Sequence, residues 1–172
     1  MTRIALLGLA LLLSACALVA QPAPALTLDA LKNAEFKSDL PAAKKAKLTN
    51  GVYEEDQGLG ASFKLNIRLT DEYAIGDLNG DGAPDAAVIL AANTGGSGVF
   101  VNLAAVLNDG GKPKPIAYAD LGDRTQVKSI SIASGVIVMD LVTHSPTDPM
   151  CCPTQKETQK FKLQGDQLAR VE

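Results

Sequence analysis

Apolar and polar residues alternate along much of this chain, which is the pattern of β-strands with one buried face. In residues 63–69, Phe, Leu, Ile and Leu alternate with Lys, Asn and Arg, and residues 159–163 alternate again. Residues 86–92 and 99–107 are instead nearly continuous apolar runs. These two runs predict central strands that are covered on both faces.

Turn signals separate the predicted strands. Asn-Asp-Gly-Gly at residues 108–111 and Ser-Gly at residues 134–135 predict tight reversals. Thr27 or Asp29 can cap one short helix that ends near Ala34. Because the strands recur at about 8–12-residue spacing with little helix, we predict an all-β fold. The expected architecture is an antiparallel meander that forms a sandwich or a curled barrel-like sheet, with one short N-terminal helix.

The N-terminus predicts export from the cytoplasm. Arg3 precedes the apolar run of residues 4–13, which is too short to span a bilayer and is typical of a signal peptide. Residues 13–16 read Leu-Ser-Ala-Cys, which is similar to the lipobox of bacterial lipoproteins. The resemblance implies that the cysteine is acylated and becomes the mature N-terminus. The alternative is cleavage by the ordinary signal peptidase near Ala20 or Ala25.

We therefore expect three parts in the chain: a signal peptide (1–15), a lipidated Cys16 with a short tether (16–26), and a single β-rich domain (27–172). Acyl chains on Cys16 would anchor the protein stably in membrane lipid. The predicted location is the bacterial cell envelope, on its periplasmic or extracellular face.

Charge and composition exclude some classes of partner. The 16 basic and 19 acidic residues give a formal net charge of −3. This balance lacks the basic surface of nucleic-acid-binding domains, so no nucleic-acid partner is expected. The chain has no Trp and only 4% aromatic residues. Platforms that stack sugars or bases on exposed rings are therefore not expected either.

The stretch GDLNGDGAPDAAVIL, from Gly76 to Leu90, joins a run of oxygen-bearing residues to the first central strand. Side-chain oxygens recur at alternate positions, and Gly82 falls where calcium loops turn sharply. Ca²⁺ takes about six to eight oxygen ligands at short range. The expected ligands are the side chains of Asp77, Asn79, Asp81 and Asp85 and the backbone carbonyl of Ala83.

This loop differs from an EF-hand at its twelfth position, where Val88 replaces the bidentate Glu and a strand follows instead of a helix. The spacing Asp-x-Asn-x-Asp-Gly-x-x-Asp resembles the calcium loops of FG-GAP-type repeats and dockerin-like modules over about ten residues. The alternative is a polar turn that closes a hairpin without an ion.

A second polar segment, residues 144–153, reads His-Ser-Pro-Thr-Asp-Pro-Met-Cys-Cys-Pro, and its three prolines keep it out of a sheet. Besides the predicted lipidation site, Cys151 and Cys152 are the remaining thiols, and we predict that they are oxidised to each other. A disulfide between neighbours is strained and reducible. The alternatives are two buried free thiols, or a soft-metal site that adds His144 and Met150.

The glycine-rich loop of residues 93–98, Asn-Thr-Gly-Gly-Ser-Gly, lies between the two predicted central strands. It is long for a plain hairpin connection. Two interpretations remain open: the approach of a ligand or partner backbone, and a flexible connection. A phosphate-binding loop is not expected, because no Lys-Ser or Lys-Thr and no helix follow it.

Five stretches together carry a wider resemblance: GDLNGDGAPDAAVIL, NTGGSGVFVNLAAVLNDGG, LGDR, VTHSPTDPMCCPTQ and LQGDQL. They resemble an uncharacterised family of bacterial exported proteins and lipoproteins with an FG-GAP-like GDLNGDGxxD calcium loop and a DPMCCPT loop. The resemblance covers most of the chain after about Gly51. It implies a β-rich exported protein and no particular activity.

We expect a non-catalytic, lipid-anchored envelope module with a structural Ca²⁺ loop, attached through Cys16 and in contact with an unknown envelope protein. No catalytic residues are assigned. One alternative is a hydrolase, which would need His144 with a serine such as Ser145. Another is a thiol- or copper-responsive envelope protein that uses Cys151 and Cys152.

Overall fold

The computed structural model describes residues 24–37, 45–56 and 64–172. The predicted signal peptide, Cys16 and most of the predicted tether lie outside the described residues. In the part of the chain that is described, no helix combines the length and the apolar character needed to cross a membrane.

The described chain is all-β with one short helix, as predicted. The helix α1 spans Leu28–Lys32, and the Thr27 hydroxyl caps it by accepting the Ala30 backbone N–H at 3.1 Å. The strands are β1 (Glu35–Lys37), β2 (Lys45–Lys47), β3 (Val52–Asp56), β4 (Lys64–Gly76), β5 (Asp85–Asn93), β6 (Phe100–Asp109), β7 (Lys112–Asp123), β8 (Gln126–Ala133), β9 (Val136–Thr143), β10 (Gln155–Gln164) and β11 (Gln167–Val171).

The strands form three antiparallel sheets with sequential neighbours, which confirms the predicted meander. One sheet has five strands in the order β3-β4-β5-β6-β7, and another has four strands in the order β11-β10-β9-β8. The third is the β1-β2 pair. Sequential antiparallel order needs only short connections, so the loops collect at the two ends of the strands.

The five-stranded sheet is the middle layer of three. Strand β5 lies at its centre and is buried on both faces, as its apolar run predicts. Val88 and Leu90 belong to one hydrophobic core and Ala87 and Ile89 to another. The second core includes Ile137 and other residues of the four-stranded sheet, so the two sheets form a sandwich.

The N-terminal segment covers the other face of the five-stranded sheet. Leu31 of α1, Phe36 of β1 and Ala46 of β2 are fully buried in the first core. Leu26, which the sequence places at the end of the tether, is also buried there. The contacts of the domain therefore begin before α1.

The sandwich has two ends, which strand β6 connects. Its ten residues span about 30 Å. We name the end that holds Pro24 the tether end, because Asn108 near the C-terminus of β6 donates its side-chain N–H to the Pro24 carbonyl at 2.7 Å. The loops at the tether end are 77–84, 110–111, 134–135 and 165–166. The loops at the opposite, distal end are 94–99, 124–125 and 144–154.

Candidate functional site

The predicted calcium ligands lie in the loop between β4 and β5, which we name the Asp77 loop (residues 77–84). The pairing of Gly76 with Asp85 closes the loop, so it connects two neighbouring antiparallel strands. Gly80 and Gly82 both have a φ of +83°, a backbone conformation that favours glycine. The predicted sharp turn at Gly82 is therefore present.

The Asp77 carboxylate organises the turn from within. Its Oδ1 accepts the Gly80 backbone N–H at 2.6 Å, and its Oδ2 accepts the Gly82 N–H at 3.0 Å. These two donors stabilise the charged form and hold the pKa of Asp77 below its usual range. The side chain is thus negatively charged at neutral pH while it supports the turn.

Asn79 and Asp81 are exposed at the tip of the Asp77 loop. The Asn79 amide donates to Asp81 Oδ2 at 2.7 Å, and Asp81 Oδ1 accepts the Ala83 backbone N–H at 2.7 Å. The Asp81 backbone N–H in turn donates to Asn79 Oδ1 at 3.0 Å. The tip therefore presents side-chain oxygens that make only local hydrogen bonds.

Asp85 differs from the other predicted ligands because it is fully buried. Its Oδ2 accepts the Leu78 backbone N–H and its Oδ1 the Asn108 backbone N–H, both at 2.9 Å. The Asn108 amide also donates to the Pro84 carbonyl at 3.1 Å, besides its bond to Pro24. Asp85 and Asn108 thus tie the Asp77 loop, strand β6 and the start of the domain together.

The oxygen-bearing side chains of the Asp77 loop are of the type that a hard cation prefers, since Ca²⁺ binds carboxylate and amide oxygens. Across the described residues, however, no three His, Cys, Asp or Glu side chains are grouped to hold a metal ion. Asp77 and Asp85 instead bind backbone N–H groups, each with lone pairs to spare.

The distal end is organised by Arg124, which the sequence analysis did not assign. Its guanidinium donates to the Met150 carbonyl at 2.7 Å, to the Ser97 carbonyl and to the Asp123 carboxylate. Its backbone N–H donates to the Val99 carbonyl at 2.7 Å. We name these contacts the Arg124 cluster. The cluster joins the glycine-rich loop, the β7–β8 connection and the cysteine loop (residues 144–154).

Arg124 itself has a φ of +52°, in the left-handed region that most side chains avoid. That conformation costs an ordinary residue about 1–2 kcal/mol. The three contacts of the guanidinium supply a reason for arginine at this position. Because Asp123 Oδ1 also accepts the Val99 backbone N–H at 2.7 Å, the glycine-rich loop is held at both Ser97 and Val99.

The predicted disulfide between Cys151 and Cys152 is present, and both residues are exposed. Met150 beside them is 76% exposed. The Cys152 backbone N–H donates to the Pro149 carbonyl at 3.0 Å, which closes a tight turn over these residues. The disulfide therefore lies at the surface of an ordered turn.

Asp148 holds the base of the cysteine loop. Its carboxylate accepts the backbone N–H of Ser145 at 2.9 Å and that of Thr154 at 2.7 Å. It also accepts the Thr154 hydroxyl at 2.8 Å. These donors, those of Ser145 first, hold the pKa of Asp148 well below its usual range. One carboxylate thus links the two sides of the loop.

The residues of the hydrolase alternative are not paired. His144 Nε2 is buried and has no hydrogen-bond partner among the described residues. The Ser145 hydroxyl lies 3.3 Å from the Thr147 hydroxyl. A nucleophile and its base share a hydrogen bond, and the described residues show none between Ser145 and His144. The soft-metal alternative needs thiolates, which the oxidised Cys151–Cys152 pair does not provide.

A cavity of about 320 Å³ lies between the N-terminal layer and the five-stranded sheet. Its walls are mostly apolar and include Phe36, Ile67, Leu90 and Phe100. None of its described lining residues belongs to the Asp77 loop or the cysteine loop. Its location separates it from both candidate sites.

No family model, no curated protein and no solved structure matches the chain. The resemblance to a family of exported bacterial proteins stays a prediction.

Proposed function

We propose that this protein is a non-catalytic, calcium-binding module of the bacterial cell envelope, anchored by lipid at Cys16 and in contact with another envelope protein. The observation that carries the proposal is the conformation of the Asp77 loop. Its two left-handed glycines and the backbone donors around Asp77 set a tight turn that places oxygen-bearing side chains at its exposed tip.

The position of the loop supports a structural role for the ion. Asp85 and Asn108 connect the loop to strand β6 and to Pro24, where the described domain meets the segment that leads to Cys16. Pro24 follows Cys16 by eight positions, and this stretch of chain spans at most about 29 Å when fully extended. The tether end, with its calcium loop, would therefore lie close to the membrane surface.

Bound Ca²⁺ would supply positive charge that offsets the repulsion among the three carboxylates of the site. The residues that would hold it are Asp77, Asn79, Asp81, Asp85 and the carbonyl of Ala83. Asp81 contributes charge at the exposed tip and Asp77 contributes charge inside the turn, whereas Asp85 anchors the loop to the core. Binding should thus couple to the stability of the domain.

The first test measures that coupling by thermal unfolding in EDTA, Mg²⁺ or Ca²⁺. We expect Ca²⁺ to stabilise the domain by RT ln(1 + [L]/Kd), about 2.7 kcal/mol at a hundredfold excess over Kd. Because the loop has no Glu at its twelfth position, its affinity for Ca²⁺ should lie at the weak end of the range known for calcium loops, with a Kd on the order of 10⁻⁴ to 10⁻³ M. Mg²⁺ should act weakly, because it requires a tighter octahedron.

Asp81→Ala should remove the calcium response, since it deletes an exposed ligand. Asp166→Ala is the matched control: it removes one exposed acidic residue from another turn and should respond to calcium as the wild type does. If the thermal midpoint of the wild type is the same in Ca²⁺ as in EDTA, the Asp77 loop is only a turn and the calcium proposal is wrong.

The second test concerns the anchor. Cys16→Ser should release the protein from the membrane fraction or mis-sort it, because the acylated cysteine is the proposed attachment. The measurement is fractionation of cells followed by immunodetection, with the wild type treated with an inhibitor of lipoprotein processing as a parallel arm. Unchanged membrane association of the Cys16→Ser protein would contradict lipid anchoring at this residue.

A further inference from the structure

The Cys151–Cys152 disulfide contributes little to the stability of the fold. A disulfide restricts the unfolded chain more as the loop that it closes becomes longer. Here the two cysteines are adjacent in sequence, so the bond closes almost no chain. A structural role therefore does not explain why the pair is oxidised.

The cysteine loop is also held in place by contacts that do not involve sulfur. Asp148 links Ser145 to Thr154 at the base of the loop. Arg124 binds the carbonyl of Met150, next to the disulfide, and fixes it to the rest of the distal end. Because nitrogen and oxygen atoms make these contacts, the loop should keep its place when the disulfide is opened.

The disulfide belongs to two exposed residues at the distal end. Both cysteines are exposed, and the neighbouring Met150 side chain is 76% exposed. The pair lies at the distal end, about the length of β6 from Pro24 and the tether. A partner protein could therefore reach the sulfur atoms without approaching the tether end.

We propose that the Cys151–Cys152 disulfide is a thiol–disulfide exchange site that is reduced by a dithiol protein of the envelope. The inference takes the envelope location from the proposed function, and it does not depend on calcium binding. A dithiol is the fitting donor because its second thiol can resolve a mixed disulfide, and exchange of this kind requires an exposed sulfur and an attacking thiolate.

The exchange proceeds in two steps. The thiolate of the donor attacks one sulfur of the pair, so the Cys151–Cys152 bond breaks, a mixed disulfide forms and the released cysteine takes a proton. The second thiol of the donor then attacks the donor half of the mixed disulfide. The products are two thiols at Cys151 and Cys152 and one disulfide in the donor. Two electrons and two protons have moved to this protein.

The first experiment titrates the folded protein with dithiothreitol, in a Cys16→Ser background that leaves only this pair among the three cysteines of the chain. A maleimide mass tag and intact mass spectrometry count the free thiols. We expect no tags before reduction, two tags after mild reduction in native buffer, and full return to zero on reoxidation. The Tm of the reduced form should lie within about 3 °C of the oxidised form.

The second experiment traps the mixed disulfide. The probe is a thioredoxin-fold protein whose resolving cysteine is replaced by serine, so that the first step cannot go on to the second. A covalent adduct should form with the Cys16→Ser protein and should be lost when Cys151 and Cys152 are both replaced by serine. Dithiothreitol should reduce the mixed disulfide and separate the two proteins of the adduct.

Three results would overturn the proposal. One is a disulfide that accepts tags only after the protein is denatured, because the site would then be inaccessible. Another is unfolding on reduction, which would make the bond structural. The third is the absence of a trapped adduct with a probe that forms one with a control disulfide protein.

Discussion

At each end of the sandwich, a polar side chain joins segments that are distant in sequence. At the tether end this residue is Asp85, which is fully buried and binds two backbone N–H groups. At the distal end it is Arg124, whose side chain is 20% exposed and binds two loop carbonyls and one carboxylate. Asp85 is therefore part of the core, whereas Arg124 supports a loop at the surface.

Burial decides what the loss of each residue costs. A buried N–H without an acceptor loses its hydrogen bond and has no water in exchange, at about 1–3 kcal/mol per group. Groups near the surface can turn to water instead, so exposed polar contacts contribute much less. We therefore expect changes at Asp85 to act on global stability, and changes at Arg124 to act on the cysteine loop.

The largest effect should come from Asp85→Ala. It leaves the backbone N–H groups of Leu78 and Asn108 without their acceptor and should lower the free energy of unfolding by about 2–6 kcal/mol, which is about 1–3 kcal/mol for each group. Urea unfolding in EDTA measures this without interference from calcium. Asp85→Asn, which keeps one acceptor oxygen, should lose less. A cost below about 1 kcal/mol for Asp85→Ala would remove the distinction between the two ends.

A smaller effect is expected for Arg124→Gln. The variant loses the contacts of the guanidinium with Ser97, Asp123 and Met150, and global stability should fall by about 1 kcal/mol. The local effect should be clearer: amide hydrogen exchange at Cys151 and Cys152 should accelerate while exchange in β5 stays unchanged. Arg124→Lys keeps the positive charge but loses the planar set of guanidinium donors. Its exchange rates at Cys151 and Cys152 should therefore lie between those of the wild type and those of Arg124→Gln. Equal acceleration in β5 would contradict a local role.

The smallest effect concerns acid pH at the distal end. The pKa of Asp148 is lowered in the folded protein from its ordinary value of 3.8, so the folded state binds fewer protons than the unfolded state there. The stabilisation from Asp148 is therefore fully present above about pH 4 and decreases as the pH falls below that value. Hydrogen exchange at the Thr154 amide should report this loss.

Two variants sharpen that measurement. Asp148→Asn should remove the acid dependence of exchange at Thr154, because the amide does not titrate. Thr154→Val removes only one of the donors to Asp148 and should weaken the dependence without abolishing it. If Asp148→Asn keeps the full acid dependence, another group controls the loop.

Several elements could be predicted from the sequence because their physical cause is local. Leu65, Ile67 and Leu69 alternate with polar residues and are buried in β4, and the continuous apolar run of β5 is buried on both faces. Thr27 caps α1 through a neighbour three residues away. The disulfide was predictable because its two cysteines are adjacent, so no folding is needed to bring them together.

The roles of Asn108 and Arg124 were not predictable in this way. Asn108 precedes Asp-Gly-Gly and has the composition of a turn, yet its amide bonds to Pro24, 84 residues away. Arg124 lies in a short connection and binds Met150, 26 residues further along the chain. The alternation of apolar and polar residues does not reveal such contacts, because each depends on a single polar residue.

The sequence by itself determined most of the strands of the two larger sheets, many of the turns between them and the chemistry present in each loop, whereas the β1–β2 pair was not predicted. Those features follow from side-chain alternation and turn residues, which act within a few positions. Only the tertiary structure decided that Asp85 faces the core, and that the glycine-rich and cysteine loops meet at Arg124. Hydrogen bonds between distant segments depend on how the sheets pack, and packing is a property of the whole chain.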